Sequence, residues 1–229
     1  MRKYLPVIII LGVLGITVAT GLYLLQPART SEPSPAAPAG KPIAANPIAA
    51  APGAVPPHNI GSEGAPVTIE EFGDFQCPPC ATFHPILKQI KTEYGPRVRV
   101  IFREFPLLPA HQHALAAARA AEAAGLQGKF WEMHDLIYEN QRIWHESKDA
   151  RPIFEEYAGK LGLNLERFRK DVTSDLVQQR IFLDGKRGHS LGVKGTPTVF
   201  LNGRELPFES LAPDRLRARI DAELAATGK

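Results

Sequence analysis

Three patterns of hydrophobic and polar positions follow one another along this 229-residue chain. The first is an unbroken apolar run. Tyr4–Leu25 carries no charged side chain, and Arg2 and Lys3 stand before it. As a helix this run would be about 33 Å long, close to the thickness of a bilayer core. The two basic residues favour leaving the N-terminus in the cytoplasm and sending the rest outward. Residues 1–25 therefore read as a transmembrane anchor or a signal segment. A cleaved signal has a shorter apolar core and a small-x-small site. Here the core is long and the best such site, near Ala19-Thr20-Gly21, is weak, which favours a single-pass anchor in the cytoplasmic membrane. No cysteine directly follows the run, so a lipoprotein is excluded. Either version carries the rest of the chain to a periplasmic or exterior, oxidising space.

The second pattern is the lack of one. Residues 26–61 are dominated by Pro and Ala, and residues 1–61 hold 10 of the 21 prolines. Such a stretch buries little and forms no ladders, so it reads as a disordered, semi-extended linker. At roughly 3.1 Å per residue it reaches at most about 110 Å.

The third pattern, over residues 62–229, is that of a folded domain. Pro66–Phe72 reads as a strand. A helix then opens at Cys77, with Pro78 and Pro79 in its first turn, where no backbone N–H is needed. Phe83, Ile86, Leu87 and Ile90 give it one apolar face; Pro85 lies inside it, and Tyr94-Gly95-Pro96 stops it. Arg97–Phe105 alternates as a second strand, expected parallel to the first. Helical spacing continues from there: His111–Ala124, Lys129–Asn140, Ala150–Leu161, Leu165–Asp171 and Leu176–Leu191. Gly192-Val193-Lys194-Gly195 breaks it. Thr196–Asn202 and Arg204–Phe208 read as paired strands about Gly203, and Ser210–Ala226 as a last helix capped by Ser210 or Asp214. The order is βαβ, a helical block at about 107–191, then ββα. It predicts one α/β domain with helices inserted into it.

Charge changes little. The net charge is +3, and residues 1–61, with four basic side chains and one acid, already account for it. The remainder carries 23 of each sign, so the basic pI brings no nucleic-acid partner with it.

Chemistry enters with the cysteines. There are two, Cys77 and Cys80, in the run Cys77-Pro78-Pro79-Cys80. A disulfide closing so short a loop constrains the unfolded chain little and is a poor staple. Their use is therefore chemical. A helix N-terminus lowers a thiol pKa, more for the first cysteine than for the second. That makes Cys77 the candidate nucleophile and Cys80 the resolving thiol. Zinc would need two further ligands, and the histidines offer no clustered pair beyond His111 and His113, so no metal is expected.

These residues resemble a known family. A strand, a Cys-x-x-Cys at a helix start and a later Gly195-Thr196-Pro197-Thr198 before a strand look like the thioredoxin fold. The stretches GSEGAPVTIEEFGDFQCPPC, GKFWEMHDLIYENQ and GVKGTPTVFLNG fit its DsbA-type branch. The resemblance covers roughly residues 60–227. It implies a membrane-anchored thiol–disulfide oxidoreductase with a redox-active Cys77–Cys80 disulfide and no other cofactor. It also implies that Pro197 is a cis-proline facing the pair, that Thr196 tunes Cys77, and that Glu71 is a buried acid relaying a proton to Cys80. Against the last stands an ordinary solvent-facing role for Glu70, Glu71 or both. His84 reads as a surface or helix-packing residue rather than a thiolate partner. Phe75, Trp131 and Trp144 are groove candidates, with core packing the competing role.

The implied substrates are exported cysteine-containing proteins, and the implied partner is a membrane protein that re-oxidises or reduces the pair. Where the branch has a His between its cysteines this chain has Pro78-Pro79, so strong oxidising power is not implied. Disulfide formation competes with reduction or isomerisation fed by a membrane electron donor. From another class, a redox-fold chaperone or a Cu(I)-binding dithiolate remains open, although the chain has no Met-rich or His-rich tract.

Overall fold

A computed structural model describes residues 50–228. The apolar run 1–25 and the greater part of the expected linker lie outside the described residues. Among the described residues no helix is long and apolar enough to cross a membrane.

The domain is built on a five-stranded mixed sheet in the order β1-β3-β2-β4-β5. The strands are β1 (His58–Ile60), β2 (Val67–Gly73), β3 (Val98–Glu104), β4 (Thr198–Leu201) and β5 (Arg204–Glu205). β2 and β3 run parallel, with Val67 opposite Val98 and Gly73 opposite Glu104. β4 joins the other side of β2 antiparallel, Glu71 facing Val199. Helix α1 (Pro78–Tyr94) links β2 to β3. The helical block runs from α2 (Ala114–Gly125) through α3 (Phe130–Glu139), α4 (Gln141–Trp144), α5 (Arg151–Lys160) and α6 (Leu165–Asp171) to α7 (Asp175–Ser190). Helix α8 (Pro213–Ala226) closes the chain. This is the thioredoxin fold with a helical insertion.

Side chains of β2 alternate between two apolar layers, as the period of a strand requires. Val67 and Ile69 join Phe83, Leu87 and Ile90 of α1 and Leu216 and Ile220 of α8. Phe72 points the other way, to Phe105 and Phe200. The helical block has its own core around α2, whose alanines at 117, 118, 120, 121, 123 and 124 are all buried. Small side chains let the neighbouring helices approach this one closely. Gly73, at the end of β2, has no room for a side chain: a Cβ there would come within 2.4 Å of the Phe102 ring.

Three expectations are corrected. Residues 50–61 belong to the domain and not to a disordered linker. The Ala54 N–H donates to Asp184 Oδ1 at 2.8 Å, its carbonyl accepts from Arg103 Nη1 at 2.9 Å, and Arg187 and Arg180 reach the Ala51 and Pro56 carbonyls. Guanidinium groups from far along the chain thus satisfy a stretch that has no ladder of its own, and β1 follows it, antiparallel to β3. The partner strand expected at Arg204–Phe208 is only Arg204–Glu205, because Pro207 lacks an N–H and Phe208–Leu211 turns as a 3-10 helix. The last helix has no side-chain cap. Ser210 lies in that 3-10 turn and Pro213 opens α8 after Ala212.

Candidate functional site

Cys77 is the N-cap of α1, with extended φ and ψ of −72° and 119°, and two prolines follow it. Neither proline has an N–H. The Cys80 amide is therefore the first inside the helix that can reach the Cys77 sulfur, and it holds the thiol pKa down. Both cysteines are free thiols and both are buried, Cys80 completely.

Across from α1, the Thr196–Pro197 bond is cis. The Thr196 carbonyl accepts from the Cys77 thiol at 3.2 Å. The Thr196 hydroxyl has no hydrogen-bond partner, and its proximity lowers the Cys77 pKa, so a thiolate at Cys77 would give it one. The Cys77 thiol is brought down to about 6, first by the hydrogen bond from the Cys80 thiol, with burial acting against it. Cys80 is pushed well above the ordinary range, first by burial and then by its bond to Cys77 and the charge on Glu71. The two thiols are therefore unequal in the sense that exchange chemistry needs: one attacks, one waits.

Glu71 is 2% exposed, and its Oε1 has no partner. Burial, with the charge of Cys77 behind it, raises its pKa to about 8. Its neighbour Glu70 is also buried but faces the opposite layer, where Arg103 and Arg187 bind it at 2.7–2.8 Å. Neither of the two faces solvent. Thus the structure brings together Cys77, Cys80, Thr196 and Pro197, with Glu71 on the strand behind them.

The other candidates fall elsewhere. His84 is buried, its Nε2 2.8 Å from Asp135 Oδ1. Phe75 and Trp144 are fully buried core residues. Trp131 is half-buried and donates its indole N–H to the Asn59 carbonyl. His111 binds Asp74 Oδ2 through Nδ1, and His113 sits on the Ser147 carbonyl.

Sequence reasoning missed the residues that hold the Cys77 loop. Asp74 is 1% exposed; it accepts from the Gln76 amide at 2.7 Å and the Leu107 amide at 2.8 Å. Gln141 at the start of α4 donates to the Phe75 carbonyl at 2.7 Å and the Cys77 carbonyl at 3.1 Å. Asp74 had a local signal, a short acid after Gly73 able to bond two residues on. Gln141, 64 residues beyond Cys77, had none.

His84, His134 and Asp135 are the described side chains whose ligand atoms come within 4.8 Å of one another. Asp135 Oδ1 already accepts from both imidazoles, and Lys88 occupies its other oxygen at 3.0 Å. Asp135 thus already has its partners, its own cation among them, while His134 Nε2 is left without one.

A family model described as Thioredoxin matches residues 54–222. Among solved structures, oxidised BdbD from Bacillus subtilis aligns with a TM-score of 0.65 at 22% identity, over 74% of this chain and 93% of that one. A thioredoxin-like oxidoreductase from Silicibacter pomeroyi aligns at 0.58 and 28% identity, over 71% and 92%. A periplasmic thioredoxin-like protein from Salmonella enterica serovar Typhimurium aligns at 0.59 and 22% identity, over 74% and 90%. A curated relative, the Na(+)/H(+) antiporter NhaA 1 of Salinispora arenicola, is 39% identical over 171 residues. Those are 74% of this chain but 25% of that protein, so the chain spans about a quarter of the curated relatives it matches.

Proposed function

This chain belongs to the thioredoxin family, and we propose that it is an extracytoplasmic thiol–disulfide oxidoreductase that forms disulfides in exported proteins. The observation that carries the reading is the inequality of the pair: a Cys77 thiol near 6 beside the Thr196 carbonyl, and a buried Cys80 held protonated.

In the oxidising direction a substrate thiolate attacks Cys77 Sγ of the Cys77–Cys80 disulfide. The S–S bond breaks, Cys80 leaves as a thiolate, and the Glu71 carboxyl, protonated at neutral pH, gives it a proton. A second substrate thiolate then attacks the substrate sulfur of the mixed disulfide. Cys77 leaves as the stable thiolate and the substrate holds the new disulfide. Two electrons have passed from substrate to pair. The Thr196 backbone beside the cis bond offers an extended substrate a short β-pairing.

Direction follows from which form is more stable. A low Cys77 pKa stabilises the reduced pair and makes it oxidising. A value near 6 lies between those of strong oxidants and of thioredoxin. A membrane partner would return the pair to the disulfide, with residues 1–25 as the tether that keeps the domain beside it.

Turnover of a reduced, cysteine-containing peptide to its disulfide, scored by thiol alkylation, tests the reading. Wild type oxidises it; Cys77→Ser does not. Equal rates in the two would defeat it. Equilibration with glutathione then gives the direction: a potential towards roughly −120 mV marks an oxidase, and one towards roughly −270 mV a reductase.

A further inference from the structure

Glu71 is 2% exposed, yet each turnover changes its proton. A buried acid that gives its proton to Cys80 must be reloaded, and in the reverse direction it must first be emptied.

Behind Glu71 lies a cavity of about 230 Å³, lined by Glu71, His84, Lys88, Trp131, His134 and Asp135 among others. One water needs only roughly 10–15 Å³ of such space and a few polar partners. The wall supplies them. Two of the buried polar atoms without a hydrogen-bond partner belong to residues lining this one cavity: Glu71 Oε1 and His134 Nε2. His134 is 5% exposed. Its other nitrogen, Nδ1, stands 3.1 Å from Asp135 Oδ1, and Asp135 is a third exposed. Lys88, half exposed, pairs with the outer oxygen of Asp135 at 3.0 Å. The arrangement therefore runs from a buried acid, across a space large enough for water, through one imidazole, to a solvent-facing carboxylate.

We propose that His134, backed by Asp135, is the relay through which Glu71 exchanges its proton with solvent. The inference rests on the thiol–disulfide reading given above.

Burial keeps His134 neutral to about pH 4. A neutral ring with its Nδ1–H on Asp135 presents the Nε2 lone pair to the cavity. It can take a proton at Nε2 while releasing one from Nδ1 through Asp135, whose carboxylate the two imidazoles and Lys88 hold below its usual range against burial, so that the proton passes straight on to solvent; the ring then returns to the first tautomer. The groups that set its charge state come from three other places. His84 on α1 lies 5.3 Å away between ring centres, and His58 on β1 also disfavours a second positive charge. Tyr138, one turn on along α3, packs edge-on to the ring at 5.0 Å, and its own pKa is pushed up by burial. Asp135 and Glu71 complete the set. His134 does not touch the sulfurs; it acts through Glu71.

The test follows resolution of a defined mixed disulfide. Reduced protein treated with dithionitrobenzoate releases one coloured thiolate when Cys77 attacks. A second is released when the Cys80 thiolate attacks Cys77 Sγ, forming Cys77–Cys80 and expelling thionitrobenzoate, while the Cys80 proton passes to the Glu71 carboxylate. The relay governs only the second release. In His134→Phe, which keeps a ring in the core, the second phase is expected to slow about tenfold and to lose its rise with pH towards 8, with the first phase unchanged. Asp135→Asn, at the surface, is expected to slow it about threefold and serves if the Phe variant does not fold. A larger solvent isotope effect in both variants than in wild type would support the relay. Wild-type second-phase rates and isotope effects in both would overturn it, as would equal slowing of both phases. Loss of both phases in Cys77→Ser tests the underlying reading separately.

Discussion

Glu70 and Glu71 are adjacent on β2, the same residue type and both buried, yet they have opposite fates. Glu70 faces the layer that carries Arg103 and Arg187, and the two guanidinium groups hold its pKa down although burial alone would raise it. Glu71 faces the cavity behind α1, has an unpartnered oxygen, and is pushed up to about 8. One peptide unit reverses the side of the sheet, and with it the preferred charge. Glu70 ties down the first described residues of the domain through Arg103 and Arg187, which also hold the carbonyls of Ala54 and Ala51. Glu71 is left free to change its proton. The difference between a structural and a chemical carboxylate here is that Glu70 is paired with two guanidinium groups, whereas Lys88, a cation of the Glu71 cavity, is taken by Asp135 and Glu139.

The comparison can be broken at each residue. Glu70→Gln leaves Arg187 without its anion and the almost fully buried Arg103 with Asp184 alone. It is expected to lower stability by about 3–5 kcal/mol in urea unfolding, while the folded fraction exchanges thiols at the wild-type rate. Glu71→Gln should do the reverse. It leaves folding intact but slows mixed-disulfide resolution by about a hundredfold, read by the dithionitrobenzoate second phase.

The pH dependence sharpens the contrast. Glu71 has a folded pKa above its ordinary 4.5, so the folded state binds its proton more tightly than the unfolded chain. The favourable contribution is complete below pH 4.5 and is lost as pH rises towards 8. Wild type should therefore lose stability relative to Glu71→Gln across that window, by up to about 1.4 kcal/mol per pH unit. Glu70, with its pKa lowered, contributes above its unfolded value and loses that contribution as pH falls through the folded one. Against wild type, the Glu71→Gln difference should change between pH 4.5 and 8, and the Glu70→Gln difference in the opposite sense only as pH falls below 4.5. The smallest effect is expected at Thr196→Val, which removes a hydroxyl that lowers the Cys77 pKa. That pKa should rise by roughly half a unit, read from thiolate absorbance.

Much of this was legible in the chain. The alternation of Pro66–Phe72 and of Arg97–Phe105 marked the two central strands, and Cys77-Pro78-Pro79 marked the start of α1. Thr196-Pro197 marked the segment opposite through a resemblance of motif. What was not legible depends on residues distant in sequence. β1 and the folded stretch before it carry no periodicity, because β1 is held by β3 and the stretch before it by Arg103, Arg180 and Arg187 from 49 to 136 residues away. The period of two puts Glu70 and Glu71 on opposite sides of a strand, but which of them faces the cysteines, or solvent, stayed open in the sequence, and the cations that separate their roles came from β3 and α7. His134 read as one more residue of an amphipathic helix; only the cavity gives it a neighbour.

The central claim is that Cys77 attacks and Cys80 waits. Alkylation of the reduced protein by iodoacetamide across pH, with each site scored by mass spectrometry, tests it most directly. Cys77 should react with a midpoint near 6, and Cys80 should stay unmodified well above the ordinary thiol pKa of 9. Midpoints near 9 for both sites, or Cys80 reacting first, would contradict the account.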